Sequence, residues 1–419
     1  MIKLFVLALI IFPATSPQEA SEIPRKLSQE ERQVIAICAA AHAAVSEFHI
    51  AASKIKDPIE QSEYCEKRDP TGFHVNELVA FERKHRGSNA ALMASRRLIL
   101  LAAAGGEVGS PVDVGRHEAI LSLPHYADNP VLPEVLRYLA AGNPDGSIED
   151  SLREIIAETD LESNKLCSQY FLARWFLNMR DSRDYCEKRL AAIDSGEDLD
   201  YPQEREQLVK VLSEFVSERR IPTVTAEALL MLEEVSKCTA GLRQPVTVGK
   251  DDGWHVLELD LDESAQSPLL ADLAEAVLFG EQHLRIGKPA PALDIALASG
   301  GRWSMSGNLG RTVVIQFSMK GCQPCVEMYP TLKKLHTKYE DKISVLSIMV
   351  DKTVDYSKSV LESGEVNWDV AWDGQREAIA QRWGVRSYPT VYVVAPDGSV
   401  AAKNARGETL VDVVSGLIR

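Results

Sequence analysis

Aromatic residues are scarce, 6% of 419, which is thin for a β-sandwich and compatible with helices built on Ala and Leu. Long apolar runs are scarcer still: past Phe12 the sequence reads as having none near the about 20 residues a membrane span needs, which excludes a multi-span membrane protein. No basic patch stands out, and 46 Lys+Arg against 61 Asp+Glu leave a net charge of −15. Such a field repels polyanions, so nucleic acid is not an expected partner. What is present is ordinary for a folded soluble chain, with 45% hydrophobic and 26% charged residues. At about 100–200 residues per domain the length implies two or three domains.

Charge is unevenly spread. From Ile286 onward 16 Lys+Arg face 14 Asp+Glu, a net of +2, while the preceding residues carry −17. Two regions of such different balance read as two different structures. The N-terminus opens with Lys3 and then nine apolar residues, Leu4–Phe12, the layout of a secretory signal. Residues 1–20 are therefore expected to form a signal peptide or an N-terminal anchor. Small residues at Ala14-Thr15-Ser16 and at Ala20 offer cleavage positions, although Pro17 follows the first. Bacterial periplasm, cell envelope or secretion is the expected location, and export permits disulfides.

Residues 21–283 read as an acidic helical region. Apolar residues recur at three- and four-residue steps in Val34-Ile35-Ile37-Cys38-Ala41, Leu166-Tyr170-Leu172-Trp175-Phe176 and Ala226-Leu229-Leu230-Leu232-Val235. Breaks at Gly105-Gly106, Pro124, Pro130, Gly142-Asn143-Pro144 and Pro202 predict helices of roughly 10–18 residues, an irregular array of helical hairpins. Tyr64-Cys65-Glu66-Lys67-Arg68 recurs at Tyr185–Arg189, without the spacing of a standard repeat family. Alternation over 245–261 around Asp252-Gly253 predicts a small hairpin.

Residues 284–419 change texture. Thr312–Phe317 and Ser344–Val350 read as buried strands, Cys322–Tyr339 as a helix and Gly300-Gly301 as a hairpin turn. Thr390–Val394 is a third strand, a turn at Asp397-Gly398 leads to a last strand, and Thr409–Ile418 closes as a helix. Strand–helix–strand, then a strand hairpin and a terminal helix, is a thioredoxin-like arrangement. The expected fold class is thus α plus α/β: a helical array followed by a thioredoxin-like domain.

Seven cysteines are present, and only Cys322 and Cys325 form a tight pair. Cys322-Gln323-Pro324-Cys325 follows a buried strand and opens a helix. Free N–H groups and the positive end of the helix dipole stabilise a thiolate on the first sulfur. Two intervening residues let Cys325 reach back and attack a mixed disulfide on Cys322, and Pro324 costs nothing in the first turn. Half a zinc site is a poor alternative without a second CxxC or CxxH, haem attachment needs His where Val326 stands, and a purely structural bridge closes too short a loop to stabilise much. Pro389, preceded by Tyr388 and opening a strand, suggests a cis-Pro loop beside the dithiol whose backbone pairs with an extended substrate.

With Ile286-Gly-Lys-Pro-Ala-Pro291, Val313–Phe317, Met328-Tyr-Pro330, Trp372-Asp-Gly374 and Trp383–Thr390 added, the region 284–418 resembles the exported TlpA/ResA-like thiol–disulfide oxidoreductases, of the thioredoxin superfamily with the AhpC/TSA-type redoxins. The resemblance implies reduction of exported protein disulfides, with Cys322 attacking and Cys325 resolving, no cofactor, and an electron donor still to be identified. It spans about a third of the chain. Two departures stand out: Gly321 replaces the usual Trp, and Gln316 and Met328 occupy positions where the family often has a buried acid that exchanges a proton with the second Cys. Glu327 is a candidate substitute, and Lys320 a candidate for lowering the Cys322 pKa by charge. Ser318 lies one residue out of place for a peroxidase.

Inert core thiols are expected for Cys38, Cys65, Cys167, Cys186 and Cys238, structural bridges among them coming second. A metal face of Cys38, His42 and His49 is a minor alternative, and the expected metal count is none. The helical region is expected to position the redox domain or bind a protein partner. The competing reading of the whole is a helical adaptor whose thioredoxin-like domain serves as a redox-switched binding module.

Overall fold

Ser28 opens the first helix through a reciprocal cap: its hydroxyl accepts the Glu31 N–H (3.0 Å) while the Glu31 carboxylate accepts the Ser28 N–H (2.7 Å). The computed structural model describes residues 27–418 except 104–108, 140–145, 197–201, 218, 239–268, 375–377 and 386. The expected signal or anchor at 1–20 and hairpin at 245–261 lie outside the described residues. The array runs through α1 (Gln29–Ala52), α2 (Pro58–Arg68), α3 (Thr71–His85), α4 (Asn89–Ala103), α5 (Pro111–Ser122), α6 (Leu132–Leu136), α7 (Ser147–Glu158), α8 (Glu162–Ser195), α9 (Pro202–Lys210), α10 (Arg220–Ser236) and α11 (Leu270–His283).

Apart from α2, which buries none of its residues, these helices share one core, with Val34, Leu78, Leu92, Ile120, Leu152, Trp175, Leu232 and Ala274 in it. Lengths differ from expectation. No Gly or Pro interrupts Glu162–Ser195, so α8 runs for 34 residues until Gly196, at φ 75°, ends it. The 24-residue α1 corrects the expectation that no later segment could span a bilayer, since it is long and apolar enough to do so. It nevertheless lays Val34, Ala41, Phe48 and Ala52 into the array beside α3 and α4. The two Tyr-Cys-Glu-Lys-Arg copies sit in unlike settings, the last turns of the short α2 and the C-terminal third of the long α8. Tyr64 stacks on Phe48 whereas Tyr185 is exposed.

The second region holds β1 (Asp294–Ala296) and β2 (Arg302–Ser304), a hairpin turned by Gly300 and Gly301 at φ 96° and 84°. Its main sheet contains β3 (Thr312–Ser318), β4 (Ile343–Met349), β5 (Asp369–Trp372), β6 (Thr390–Val394) and β7 (Val400–Lys403), in the order β5-β4-β3-β6-β7. Strands β3, β4 and β5 pair in parallel, while β6 runs antiparallel to both β3 and β7. Helices α12 (Gln323–Glu327), α13 (Tyr329–Lys338), α14 (Asp355–Glu362), α15 (Ala378–Arg382) and α16 (Gly407–Leu417) complete it. One face packs Val314, Val345 and Val393 on Leu332, Leu410 and Val414; the other packs Ile315, Phe317 and Tyr392 on Trp303 and Trp383. Burial on both faces explains why β3 and β4 read as unbroken apolar runs.

The expected single helix from Cys322 to Tyr339 is two, α12 and α13, parted at Met328. Pro330, with no N–H to offer the preceding turn, accounts for the break. Helix α11 touches both regions. Leu270 and Ala274 belong to the array core, whereas Phe279 and Leu284 pack with the Trp383 side of the sheet. Arg180 on α8 grips Glu281 through two 2.8 Å hydrogen bonds, and the Arg382 guanidinium lies 5.0 Å over the Phe279 ring.

Candidate active site

Strand β3 delivers the chain to the dithiol. After Ser318 a turn through Gly321, at φ 80°, brings Cys322 to the N-cap of α12. That turn is closed by the Cys322 N–H donating to the Met319 carbonyl at 3.3 Å. The Cys322 carbonyl then accepts N–H bonds from Cys325 (3.0 Å) and Val326 (3.3 Å), folding one sulfur-bearing residue back over the other. Cys322 and Cys325 are joined by a disulfide with a 2.01 Å S–S bond. Cys325 is fully buried, whereas Cys322 is half-exposed and flanked by exposed Gln323 and Pro324. A nucleophile has one accessible target in this pair.

Beneath Cys325 lies Gln316, fully buried. Its Nε2 donates to the Cys325 carbonyl at 3.1 Å, and its Oε1 accepts the Ser347 hydroxyl at 3.1 Å. Ser347 in turn accepts the Trp368 indole N–H at 2.9 Å. A buried polar group of this kind is tolerated because each partner is satisfied. The position that the family resemblance reserves for an acid thus carries a neutral amide, locked by three elements.

The remaining expected residues divide. The main chain of Lys320 is anchored, its N–H donating to Asp351 Oδ1 at 2.9 Å, while the residue itself is exposed. Glu327 is exposed and accepts from Gln323 Nε2 at 3.5 Å. The Tyr388–Pro389 peptide is cis, and Phe317 pairs with Thr390 across the sheet. Pro389 therefore sits level with Ser318, at the end of β3 from which the dithiol loop departs. Arg406 Nη2 donates to the Pro389 carbonyl at 2.7 Å, and Tyr388 is half-buried. Met319 and Val326, 40% and 36% exposed, add apolar surface on either side of Cys322 in the chain. Sequence reasoning missed Ser347, Trp368 and Asp351; an acid directly after a buried strand was the one available signal.

Cys38, Cys65, Cys167, Cys186 and Cys238 are free thiols, so the bridges considered among them are not formed. Burial pushes the Cys167 thiol up to about 12, with Cys238 near enough to add to the shift. Burial also raises Cys38, partly offset by the Arg97 charge, and Cys186. His42 and His49 are exposed while Cys38 is half-buried, and among the described residues no three His, Cys, Asp or Glu converge.

The sheet order, the cis-Pro strand and the dithiol opening a helix define a thioredoxin-like redox domain. Residues 286–403 match the AhpC/TSA family model, so the C-terminal region carries a domain of that family. Among characterised relatives, the thioredoxin-like protein YneN of Bacillus subtilis is 24% identical over 29% of this chain and 71% of its own length. The thiol-disulfide oxidoreductase ResA of Bacillus thuringiensis is 27% identical over 29% of this chain and 69% of its own. The thioredoxin domain of a thiol-disulfide oxidoreductase from Bacteroides vulgatus covers 32% of this chain and 99% of that one, at 22% identity and a TM-score of 0.30.

Proposed function

We propose that this protein is an exported thiol–disulfide oxidoreductase that reduces disulfides of other exported proteins. The observation that carries the reading is the asymmetry of the pair, with half-exposed Cys322 at the helix cap and Cys325 buried one turn on. Cys322, as thiolate, attacks a substrate disulfide and forms a mixed disulfide, releasing one substrate thiolate. Cys325 loses its proton and attacks the Cys322 sulfur; the Cys322–substrate bond breaks and its electron pair leaves on the second substrate sulfur. Both released sulfurs take up protons, and the Cys322–Cys325 bond remains to be reduced by a separate donor. Pro389 and Tyr388 align the substrate backbone, and Gln323 and Pro324 form the lip around Cys322. The reducing direction follows the ResA-like resemblance, and export follows the Lys3, Leu4–Phe12 pattern. The helical array positions this domain or holds a protein partner.

Reduction of insulin disulfides by the full chain tests the reading. Cys322→Ser should abolish it, and Cys325→Ser should accumulate mixed disulfides. Equal turnover by Cys322→Ser and the parent discards the assignment. The neutral Gln316 favours a second reading, a redox-switched binding module; capture of partners by the oxidised form without insulin reduction would select it.

A further inference from the structure

The end of β4 meets the dithiol loop. There the Val350 N–H donates to the Ser318 carbonyl at 3.1 Å, and the next residue, Asp351, accepts the Lys320 N–H on Oδ1. The Asp351 carbonyl also accepts the Trp372 indole N–H at 2.7 Å. Its other carboxylate oxygen, Oδ2, is enclosed and meets no hydrogen-bond donor among the described residues. Only Gly321 separates Lys320 from Cys322 in a closed turn, so chain geometry places this carboxylate on the order of 10 Å or less from Cys322.

We propose that Asp351 is a positioning residue of the dithiol, fixing the loop that carries Cys322 and supplying the negative charge against which the Cys322 thiolate must form. The inference rests on the oxidoreductase reading and deepens it. A like charge raises the cost of a thiolate. Disfavouring the thiolate form also makes a dithiol the better reductant, because a stabilised reduced form is what makes such a pair oxidising. Asp351 therefore biases the pair toward giving electrons.

The groups around it leave that charge largely standing. Burial pushes the Tyr356 phenol on α14 up, with the Glu365 and then the Asp351 charge adding to it, and Tyr329 on α13 is raised chiefly by burial, so both stay neutral. Lys320 and Lys352 are exposed. Asp373, beyond β5, spends both carboxylate oxygens on the N–H groups of Ile379 and Ala380. No described group forms an ion pair with Asp351 within 4 Å.

Asp351→Asn keeps an oxygen for the Lys320 N–H and removes the charge; Asp351→Ala removes both. In the reduced full chain, Cys322 alkylation followed by peptide mapping across pH should show a lower midpoint in Asp351→Asn. Below the midpoint its rate should rise about three- to fivefold. Equilibration against glutathione should show its dithiol easier to keep reduced, hence less reducing. Asp351→Ala should share the lower midpoint but react more slowly at the high-pH plateau, its loop being unheld. A wild-type midpoint and redox equilibrium in Asp351→Asn would overturn the proposal, since a purely structural role moves neither, and this variant decides alone should Asp351→Ala not fold. If the parent fails to reduce insulin, the oxidoreductase reading falls while the midpoint and equilibrium still judge Asp351.

Discussion

Gln316 Nε2 and the Cys325 carbonyl oxygen lie 3.1 Å apart in a fully buried pair, so the residue under the inner sulfur donates a hydrogen bond and has no proton to exchange. Proton exchange with Cys325 therefore does not run through this residue, and the amide serves to hold the first turn of α12 on β3.

Truncation of that amide should be costly. Gln316→Ala strands the Ser347 hydroxyl and the Cys325 carbonyl away from water and opens a gap under the helix. A loss of about 2–4 kcal/mol is expected, read by denaturant unfolding of the oxidised full chain. A midpoint equal to the parent's would show that the Trp368–Ser347–Gln316 chain contributes nothing.

Exposure predicts the order of chemistry at the pair. In the reduced protein, iodoacetamide near neutral pH should label Cys322 well before Cys325, with mass mapping of the two residues as the check. Equal labelling would mean that the inner sulfur is not shielded in solution.

Cys167 should behave as an inert thiol. Its pKa, pushed up to about 12 by burial, lies above the ordinary thiol value of about 8.5. It should therefore stay unlabelled in the native chain between pH 7 and 9. The folded state binds this proton more tightly than the unfolded chain does. Its contribution to stability is complete below the unfolded pKa and is lost as pH climbs toward 12. Unfolding of Cys167→Ala should show a shallower decline over that alkaline range than the parent.

Arg180 and Glu281 tie α8 to α11, with Arg285 bound to both Asp181 and Glu281 beside them. Arg180→Ala leaves a half-enclosed carboxylate with one remaining cation and should cost about 3 kcal/mol in array stability. Thermal unfolding followed by helical circular dichroism gives the measurement, while insulin reduction should persist, since no atom of the dithiol site is touched.

The redox domain was legible because its signals are local. A β-branched run, a Cys-x-Pro-Cys opening a helix and a Pro opening a strand each occupy fewer than ten consecutive residues. Helix α14 and strand β5 were not anticipated: one is short and polar, the other only four residues long. The surroundings of Gln316 were hidden for a different reason. Ser347 is 31 residues away and Trp368 a further 21, so only strand pairing reveals that they meet. Asp351 looked like any acid following a strand until the loop folded back onto it. In the array, the three-to-four-residue rhythm showed helices but not their ends, because α8 passes the expected length with no residue to stop it.

The backbone angle at Gly321 carries a last consequence. A Cβ built there would meet nothing within 4 Å, so crowding does not select glycine; the left-handed turn does. The approach to the outer sulfur therefore passes over bare main chain. A larger residue at 321 would have to hold its side chain in a backbone conformation that L residues rarely adopt, so the chain's own curvature keeps the lip before Cys322 free of bulk.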